Sequence, residues 1–217
     1  MLAEQHARRL RQLPPKFLSF EGTEGVGKTT AIDGLCHLFE VAGVSYVRTR
    51  EPGGSEVGEL LRGIFLDPKH RLSAETELLM LFAARNDHLN QRILPALAAG
   101  NWVICDRFLD STVAYQGFGR YHGDGDKLKK IALLADNFVQ KLPDVSFWLD
   151  LPIEVGMARA KARSEADRME KEAVAFFERV SEGFLRQHEA DPQRLRRIDA
   201  TGEREAVLGR IVSALLV

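Results

Sequence analysis

The sequence predicts an α/β domain in which a parallel sheet of about five strands is flanked by helices. Two features predict this class. Short apolar runs alternate with segments of helical periodicity along the chain, as in repeated strand–helix units. In addition, the first apolar run leads directly into a glycine-rich turn and then a helical pattern, which is typical of a phosphate-binding loop.

Three of the five predicted strands are apolar runs, and the second and fifth also contain arginines. The five strands cover residues 17–20, 44–49, 102–105, 145–149 and 195–198. Each of the first four is followed by at least one helical pattern before the next strand begins, so neighbouring strands should run parallel.

The predicted helices follow from apolar residues at spacings of three and four and from end signals. Gly43 should end the first one, and residues 56–66 should form a short helix with its apolar side at Val57, Leu60, Leu61 and Ile64. A long helix should begin after Ser73, kink or restart at Pro95 and end at Gly100. Further helices should begin near residues 109 and 126, separated by a loop at 117–125, and the last two should cover 172–188 and 203–216.

The chain reads as one domain at residues 16–217, preceded by an extension at residues 1–15 that ends in Pro14 and Pro15. A charged stretch at about residues 159–171 interrupts the strand–helix pattern as a small excursion, or lid. We assign the extension no function.

The composition is that of an ordinary soluble protein, with 217 residues, 45% hydrophobic, 28% charged and a net charge of −1. The near-zero net charge gives no general attraction to nucleic acid or to a membrane surface, and we expect neither as a partner. No apolar run is long enough to span a membrane. Cys36 and Cys105 lack metal-ligand spacing and should be free core thiols in a reducing compartment, so we expect a cytoplasmic protein.

The glycine-rich turn carries the pattern G-x-x-x-x-G-K-[ST] from Gly22 to Thr29. Glycines there allow successive N–H groups to face an anion, Lys28 adds positive charge, and the Thr29 hydroxyl can bind Mg²⁺. The following helix adds its positive N-terminal end. We expect the triphosphate of ATP to be bound by Gly22, Thr23, Glu24, Gly25, Val26, Gly27, Lys28, Thr29 and Thr30.

Asp106 and Arg107 follow the third strand, at the sheet edge where open α/β sheets bind ligands. With Thr29, Asp106 would support Mg²⁺, although it also suits the N-cap of the next helix. Arg107 stands where water-activating ATPases commonly carry a glutamate. Because its planar guanidinium binds phosphate well, it favours transfer to an anionic acceptor over hydrolysis.

Three further arginines and a charged segment point to the same chemistry. Arg50 precedes a tight turn, Arg62 lies on the following helix, and Arg85 interrupts an apolar helix face. A charge on such a face is paired or liganded, or it reaches the helix edge by its long stem. The segment 159–168, with Arg163 and Arg168, is either a solvated helix face or a cationic lid that supplies charge to phosphoryl transfer.

Several segments together resemble the thymidylate kinase family over residues 16–217. They are FEGTEGVGKTT at 20–30, TREPGGSEVGELLR at 49–62, FAAR at 82–85, DRFLDSTVAYQG at 106–117 and DRMEKE at 167–172. The resemblance implies a P-loop kinase fold and Mg²⁺-dependent transfer of the ATP γ-phosphoryl group to dTMP, giving dTDP for dTTP biosynthesis. It also implies a homodimer, and a lid of the bacterial type in which Arg163 and Arg168 act with Lys28 and Arg107 in catalysis.

The resemblance assigns a dTMP site to specific positions of this chain. Arg50, Arg62 and Arg107 would surround the 5′-phosphate, Arg85 would reach a thymine carbonyl, and Tyr115 would lie under the deoxyribose. The complete set is Glu24, Arg50, Glu51, Arg62, Leu81, Phe82, Arg85, Arg107, Ser111, Thr112, Tyr115 and Gln116. The family usually has an aromatic residue four positions before the helix arginine, to stack on thymine. This chain has Leu81 there, with Phe82 beside it.

Three other functions compete with this interpretation. A nucleotide-switch GTPase would need an Asn-Lys-x-Asp segment, which the chain lacks. A kinase for another nucleoside monophosphate or for a nucleoside would share the loop and the arginines. A nucleotide-binding module without catalysis would leave the basic acceptor residues without a purpose.

Overall fold

The computed structural model describes residues 8–162, 169 and 172–216. In this part of the chain, five parallel strands form one sheet in the order β2–β3–β1–β4–β5. They are β1 (Phe17–Glu21), β2 (Tyr46–Arg50), β3 (Trp102–Asp106), β4 (Val145–Asp150) and β5 (Leu195–Asp199). The predicted parallel sheet is confirmed.

Helices cover both faces of the sheet and follow the strands in chain order. They are α1 (Lys28–Ala42), α2 (Glu56–Leu66), α3 (Ala74–His88), α4 (Leu94–Ala98), α5 (Leu109–Thr112), α6 (Gly125–Phe138), α7 (Ile153–Lys161), α8 (Val174–Ala190) and α9 (Arg204–Leu215). The predicted N-cap at Ser73 is confirmed, because its hydroxyl accepts from the Thr76 N–H at 3.1 Å. Gly43 ends α1 in the left-handed conformation, also as predicted.

The strand register brings the functional edge of the sheet together. Asp106 is aligned with Phe20 on one side and with Arg50 on the other, so β1, β2 and β3 end at one level. The chain leaves β1 towards β2 on one side and later crosses to β4 on the other. Such a reversal opens a crevice at the carboxyl ends of the strands, where α/β proteins bind ligands.

The predicted loop at residues 117–125 is wrong in its first half. Helix α5 continues as a π-helical segment, Val113–Arg120, and only residues 121–124 form the turn before α6. Two glycines permit this packing. A Cβ on Gly117 would lie 2.7 Å from the Leu128 side chain, and one on Gly119 would lie 2.6 Å from Phe176. These glycines serve close helix packing rather than a loop.

Of the two outcomes predicted at Pro95, a kink or a restart, the structure shows the restart: a π-helical segment, Leu89–Ile93, joins α3 to α4, which begins at Leu94 with the proline in its first turn. One other helix prediction needs correction. Helix α8 begins at Val174 rather than at residue 172.

The apolar stripe predicted for residues 56–66 does not face the core. Val57, Leu60 and Ile64 on α2 are 49%, 68% and 45% exposed, whereas Gly58 and Phe65 are buried. Helix α2 therefore has an apolar outer face.

Residues 8–13 pack against the domain. Leu10 is fully buried in a cluster that includes Leu35 of α1 and Leu215 of α9. The Arg9 guanidinium donates to the carbonyl oxygen of Leu216 at 3.1 Å. Among the described residues, no helix has the length and apolar character to cross a membrane.

Candidate active site

The glycine-rich loop joins β1 to α1 and adopts a conformation that favours glycine. Gly22, Gly25 and Gly27 have φ values of 131°, 74° and 97°, in the left-handed half of the backbone map. A Cβ on Gly25 would lie 1.9 Å from the carbonyl oxygen of Gly156 in α7. The loop is thus fixed both by its own backbone and by its contact with α7.

Lys28 folds back over the loop that precedes it. Its Nζ donates to the carbonyl oxygens of Gly22 at 3.1 Å and Thr23 at 2.9 Å. Burial, reinforced by the positive charge of Arg107, lowers the pKa of the Lys28 ammonium to about 8. A half-buried cation at the start of a helix is suited to bind an anion.

Asp106 ends β3 beside this loop, and its carboxylate is incompletely satisfied. Its Oδ1 is buried and has no hydrogen-bond partner among the described residues. The N-cap alternative is wrong, because α5 begins at Leu109 after Phe108. Asp106 and Thr29 line the same cavity. An orphaned carboxylate oxygen and a hydroxyl fit a hard cation such as Mg²⁺, which uses few protein ligands and completes its shell with water and phosphate oxygens.

Arg107 connects the loop to the other side of the crevice. Its Nη1 donates to the carbonyl oxygen of Gly22 at 2.7 Å and to the Ser111 hydroxyl at 3.1 Å. Its Nη2 donates to Glu24 Oε1 at 2.8 Å and to the Tyr115 hydroxyl oxygen at 3.0 Å, and the guanidinium lies 4.8 Å from the centre of that ring. The residue has φ 69°, so the backbone itself turns this side chain towards the loop.

Glu24 and Tyr115 complete this cluster. The Tyr115 hydroxyl lies 2.9 Å from Glu24 Oε1 and 2.8 Å from Oε2, and burial raises its pKa well above the usual range. The phenol therefore stays protonated and donates to the carboxylate. A ring held by the Arg107 guanidinium and by its hydroxyl makes a rigid wall.

Arg85 lies in the interior rather than at the helix edge, which decides between the two alternatives left by the sequence. The residue is 1% exposed. Its Nε donates to Glu51 Oε2 at 2.7 Å and its Nη2 to Thr112 Oγ1 at 2.8 Å. Its Nη1 is buried and lacks a partner within residues 8–162, 169 and 172–216. Because Arg85 lines the cavity, this remaining donor is available to a ligand.

Sequence reasoning missed the partner that holds Glu51 in place. His88 is fully buried on α3, with Nδ1 3.0 Å from Glu51 Oε1 and Nε2 2.6 Å from Thr49 Oγ1. The available signal was its position three residues after Arg85, on the same face of the helix.

A second buried network supports the loop from below and was also missed. Glu21 accepts from the Phe108 N–H at 2.9 Å and from the Ser111 hydroxyl at 2.5 Å. Burial, and then the negative charge of Asp110, raise the pKa of Glu21 to about 7. Asp110 is in turn held by both Nη atoms of Arg194, at 2.9 and 2.8 Å. The sequence feature that could have indicated this network is Glu21 itself, a carboxylate at the end of the apolar strand β1.

The remaining predicted side chains lie around the same space. Arg50 pairs with Glu59 at 2.8 Å, and Arg62 donates to the carbonyl oxygen of Pro52 at 2.8 Å. The side-chain amide of Gln116 lies 3.3 Å from Glu77 Oε2, which Arg120 also contacts at 3.1 Å. Helices α2, α3 and α5 thus each contribute polar groups to the crevice.

One cavity of about 230 Å³ brings most of these residues together. Of the predicted residues, it is lined by Glu24, Gly25, Gly27, Lys28, Thr29, Arg50, Glu51, Arg62, Leu81, Arg85, Asp106, Arg107, Ser111, Thr112, Tyr115 and Gln116. The predicted residues that do not line it are Gly22, Thr23, Val26, Thr30 and Phe82. It is also lined by residues that sequence reasoning did not select, namely Pro52, Phe65, Leu66, Phe108 and Met169. Arg163 and Arg168 lie outside the described residues.

Comparisons with known proteins agree with this geometry. The family profile described as thymidylate kinase matches residues 20–211. A thymidylate kinase from Psychrobacter sp. (strain PRwf-1) is 60% identical over 196 residues, covering 90% of this chain and 94% of the relative. One from Acinetobacter baylyi is 49% identical over 193 residues, covering 88% and 94%. The crystal structure of thymidylate kinase from Ehrlichia chaffeensis has a TM-score of 0.74 and 33% identity, covering 94% of this chain and all of that one. The chain therefore belongs to the thymidylate kinase family.

Proposed function

We propose that the cavity binds the 5′-phosphate of dTMP among Arg50, Arg62 and Arg107, opposite the triphosphate of ATP on the glycine-rich loop. The γ-phosphoryl group then passes in line from ATP to the dTMP phosphate, giving ADP and dTDP. Membership of the thymidylate kinase family makes the chain a phosphotransferase that acts on dTMP. The proposal assigns parts of that reaction to individual side chains.

The observation that carries the proposal is the contact between Arg107 and the loop. A guanidinium that donates at 2.7 Å to the carbonyl oxygen of Gly22 stands directly beside the loop that would hold the donor phosphates. An acceptor phosphate bound to Arg107 would therefore lie next to the γ-phosphoryl group. Such proximity replaces a bimolecular encounter by a step between preplaced groups.

The chemistry requires no general base from the protein. A phosphate dianion is already a competent nucleophile, so the site must position it and neutralise charge. Lys28 and Arg107 supply two cations at the point where the phosphates meet. The lid residues Arg163 and Arg168 remain our predicted source of further positive charge on the transferring group.

Contacts of Arg85 and Tyr115 support the orientation of the nucleoside. Two donors of Arg85 are fixed by Glu51 and Thr112, so Nη1, which lacks a partner among the residues that the structure describes, is presented in one orientation, suited to a thymine carbonyl. The Tyr115 ring, held by Glu24 and Arg107, would pack against the deoxyribose and leave little room for a 2′-hydroxyl. The enzyme should accordingly prefer deoxyribonucleotides.

Asp106 and Thr29 are the residues that would hold Mg²⁺ at this site, directly or through water. Bound there, Mg²⁺ would neutralise charge on the donor phosphates. The buried Oδ1 of Asp106, which has no hydrogen-bond partner in the described part of the chain, supports this assignment.

We also propose that the protein is a homodimer and that it is cytoplasmic. One observation supports the dimer, and another supports the compartment. The outer face of α2 exposes Val57, Leu60 and Ile64, and neighbouring α3 adds Leu79, which is 60% exposed. Such a continuous apolar face is typical of a protein interface. Both cysteines are buried free thiols, which suits a reducing compartment.

A coupled ADP-release assay across dTMP, dUMP, CMP, AMP and thymidine tests the proposed acceptor. We expect the highest kcat/KM with dTMP and none above background with thymidine, which has no phosphate for the arginines to bind. A higher kcat/KM for CMP or AMP would show that the cavity accepts a different base. Turnover of thymidine would show that the acceptor is a hydroxyl group.

A further inference from the structure

The wall of the cavity beside Arg85 has an aliphatic side chain where a planar base needs a flat partner. Leu81 lines the cavity one helical turn before Arg85 on α3. Its neighbour Phe82 points elsewhere, because consecutive helix residues are rotated by about 100°. Phe82 packs in the cluster of Phe17 and Phe108 and does not line the cavity. The aromatic residue that the sequence offered as a substitute is therefore on the wrong side of the helix.

The aromatic residues that do line the cavity are Phe65, Phe108 and Tyr115. Phe108 and Tyr115 each contact an arginine of the site. Phe108 is fully buried, packs edge-on against Phe17 at 4.9 Å and supports the Arg85 guanidinium from 5.1 Å. Tyr115 is fixed at the phosphate end by Arg107. Phe65 is 5% exposed and belongs to the same apolar cluster as Leu81.

Phe65 on α2 and Leu81 on α3 each lie about one helical turn from an arginine of the same helix. Phe65 follows Arg62 by three residues, and Leu81 precedes Arg85 by four, so each helix presents one arginine and one apolar side chain on one face. All four side chains line the cavity, and α2 packs against α3. Each pair thus combines a cation, Arg62 for the phosphate and Arg85 for the base edge, with an apolar side chain that can contact a ring.

We infer that Phe65 supplies the aromatic face against which the thymine ring of dTMP packs, in place of the side chain at position 81. The aromatic contact has moved from α3 to α2, and Leu81 fills the space that a ring would occupy on α3. This inference rests on the proposed placement of dTMP, with its base edge at Arg85. Aromatic contacts contribute beyond the burial of area, because the ring faces and edges carry complementary partial charges.

Variants at Phe65 separate an aromatic contact from simple filling of space. Phe65→Met keeps a long apolar side chain of somewhat smaller volume but loses the ring, whereas Phe65→Tyr keeps the ring. We expect Phe65→Met to weaken dTMP binding about three- to tenfold, with ATP binding unchanged, and Phe65→Tyr to bind dTMP within about twofold of the unmodified chain. Ile64→Met, on the half-exposed neighbouring residue of the same helix, is the matched control and should change neither affinity.

The exchanged pair gives a second test that does not depend on the single variants. Restoring the ring on α3 in Phe65→Leu/Leu81→Phe should return dTMP affinity to within about threefold of the unmodified chain, while Phe65→Leu alone should lose as much as Phe65→Met. Titration with 2-deoxyribose 5-phosphate, which has no base, should give the same affinity for every variant.

The outcomes distinguish this inference from the proposed function. If the unmodified chain fails to bind dTMP, the proposed acceptor is wrong. If it binds dTMP and Phe65→Met binds it equally well, Phe65 is not the aromatic partner. An equal loss for dTMP and for 2-deoxyribose 5-phosphate would also overturn the inference, because the effect would then lie at the sugar or phosphate. Thermal unfolding of each variant with ATP bound establishes that the domain is intact.

Discussion

Glu51 and Arg85 form a buried ion pair, with Oε2 2.7 Å from Nε and side chains 4% and 2% exposed. The other carboxylate oxygen of Glu51 faces Nδ1 of His88 at 3.0 Å. Since Thr49 lies on the far side of the imidazole, a chain of contacts runs from the end of β2 through His88 and Glu51 to Arg85. This chain fixes the guanidinium that we assign to the base.

Removing Glu51 should therefore damage both stability and dTMP binding. Glu51→Ala leaves Arg85 charged and buried without its carboxylate, which costs about 3–5 kcal/mol in the free energy of unfolding. Urea denaturation measures the free energy of unfolding, and a separate dTMP titration of the folded variant without urea measures its affinity for dTMP. Glu182→Ala, which breaks the exposed pair with Arg186, is the control and should cost less than about 1 kcal/mol. Equal losses for the two variants would contradict the account of Arg85.

ATP binding should take up a proton in mildly alkaline solution. The pKa of Lys28 is lowered to about 8, chiefly by burial, so well above that pH the free enzyme carries this amine largely neutral. The bound phosphates favour the ammonium form of Lys28, so the pKa of Lys28 must rise in the complex. Calorimetry at about pH 9 in buffers of different ionisation enthalpy should report uptake of part of a proton, and at about pH 7 almost none from this group. Proton release at the higher pH would contradict the role of Lys28.

Activity should depend on Mg²⁺ and on Asp106. Turnover should disappear with EDTA and return with added Mg²⁺. Asp106→Asn should reduce kcat by about 10–100-fold, because the amide is a poorer partner for the cation or for its water. Binding of dTMP, measured without metal, should be little changed. A folded Asp106→Asn enzyme with near-normal kcat would refute this assignment.

The lid arginines should act on the transition state more than on bound substrate. Arg163→Ala and Arg168→Ala should each lower kcat by roughly 10²-fold, with smaller effects on the KM for dTMP, because charge that develops during transfer responds most to a nearby cation. Arg186→Ala on α8, with a side chain 64% exposed, is the matched control. Wild-type turnover in both lid variants would contradict this role and would show that the segment is an ordinary solvated surface.

The parts of the fold that depend on local pattern were predictable from the sequence. The glycine-rich loop has left-handed backbone at Gly22, Gly25 and Gly27. The motif could be recognised because Gly22 and Gly27 stand at its fixed positions before Lys28. The three central strands, β3, β1 and β4, were predictable because buried parallel strands are largely apolar runs. The start of the loop before α6 was not, since Gly117 and Gly119 look like turn residues until their packing partners, Leu128 and Phe176, are known.

The parts of the site that depend on distant pairing were not predictable. Arg85 was evident as a charge on an apolar face, but its partner Glu51 lies 34 residues earlier in the chain. The exposed stripe of α2 has the helical period of a core helix, and periodicity alone does not say whether solvent, core or a second subunit faces it. For the same reason, periodicity did not identify Phe65 as a residue of the cavity, because the predicted apolar side of α2 included Ile64 instead.

The central claim is that ATP and dTMP occupy adjoining parts of one cavity, joined at Arg107 and Lys28. Competition kinetics with an inhibitor in which adenosine and thymidine are linked through a polyphosphate chain tests it most directly. The inhibitor should compete with both ATP and dTMP and bind roughly 10²-fold tighter than either nucleotide alone, because its second half binds at high effective concentration. Competition with only one of the two substrates, or an affinity no better than that of ATP, would contradict the shared cavity.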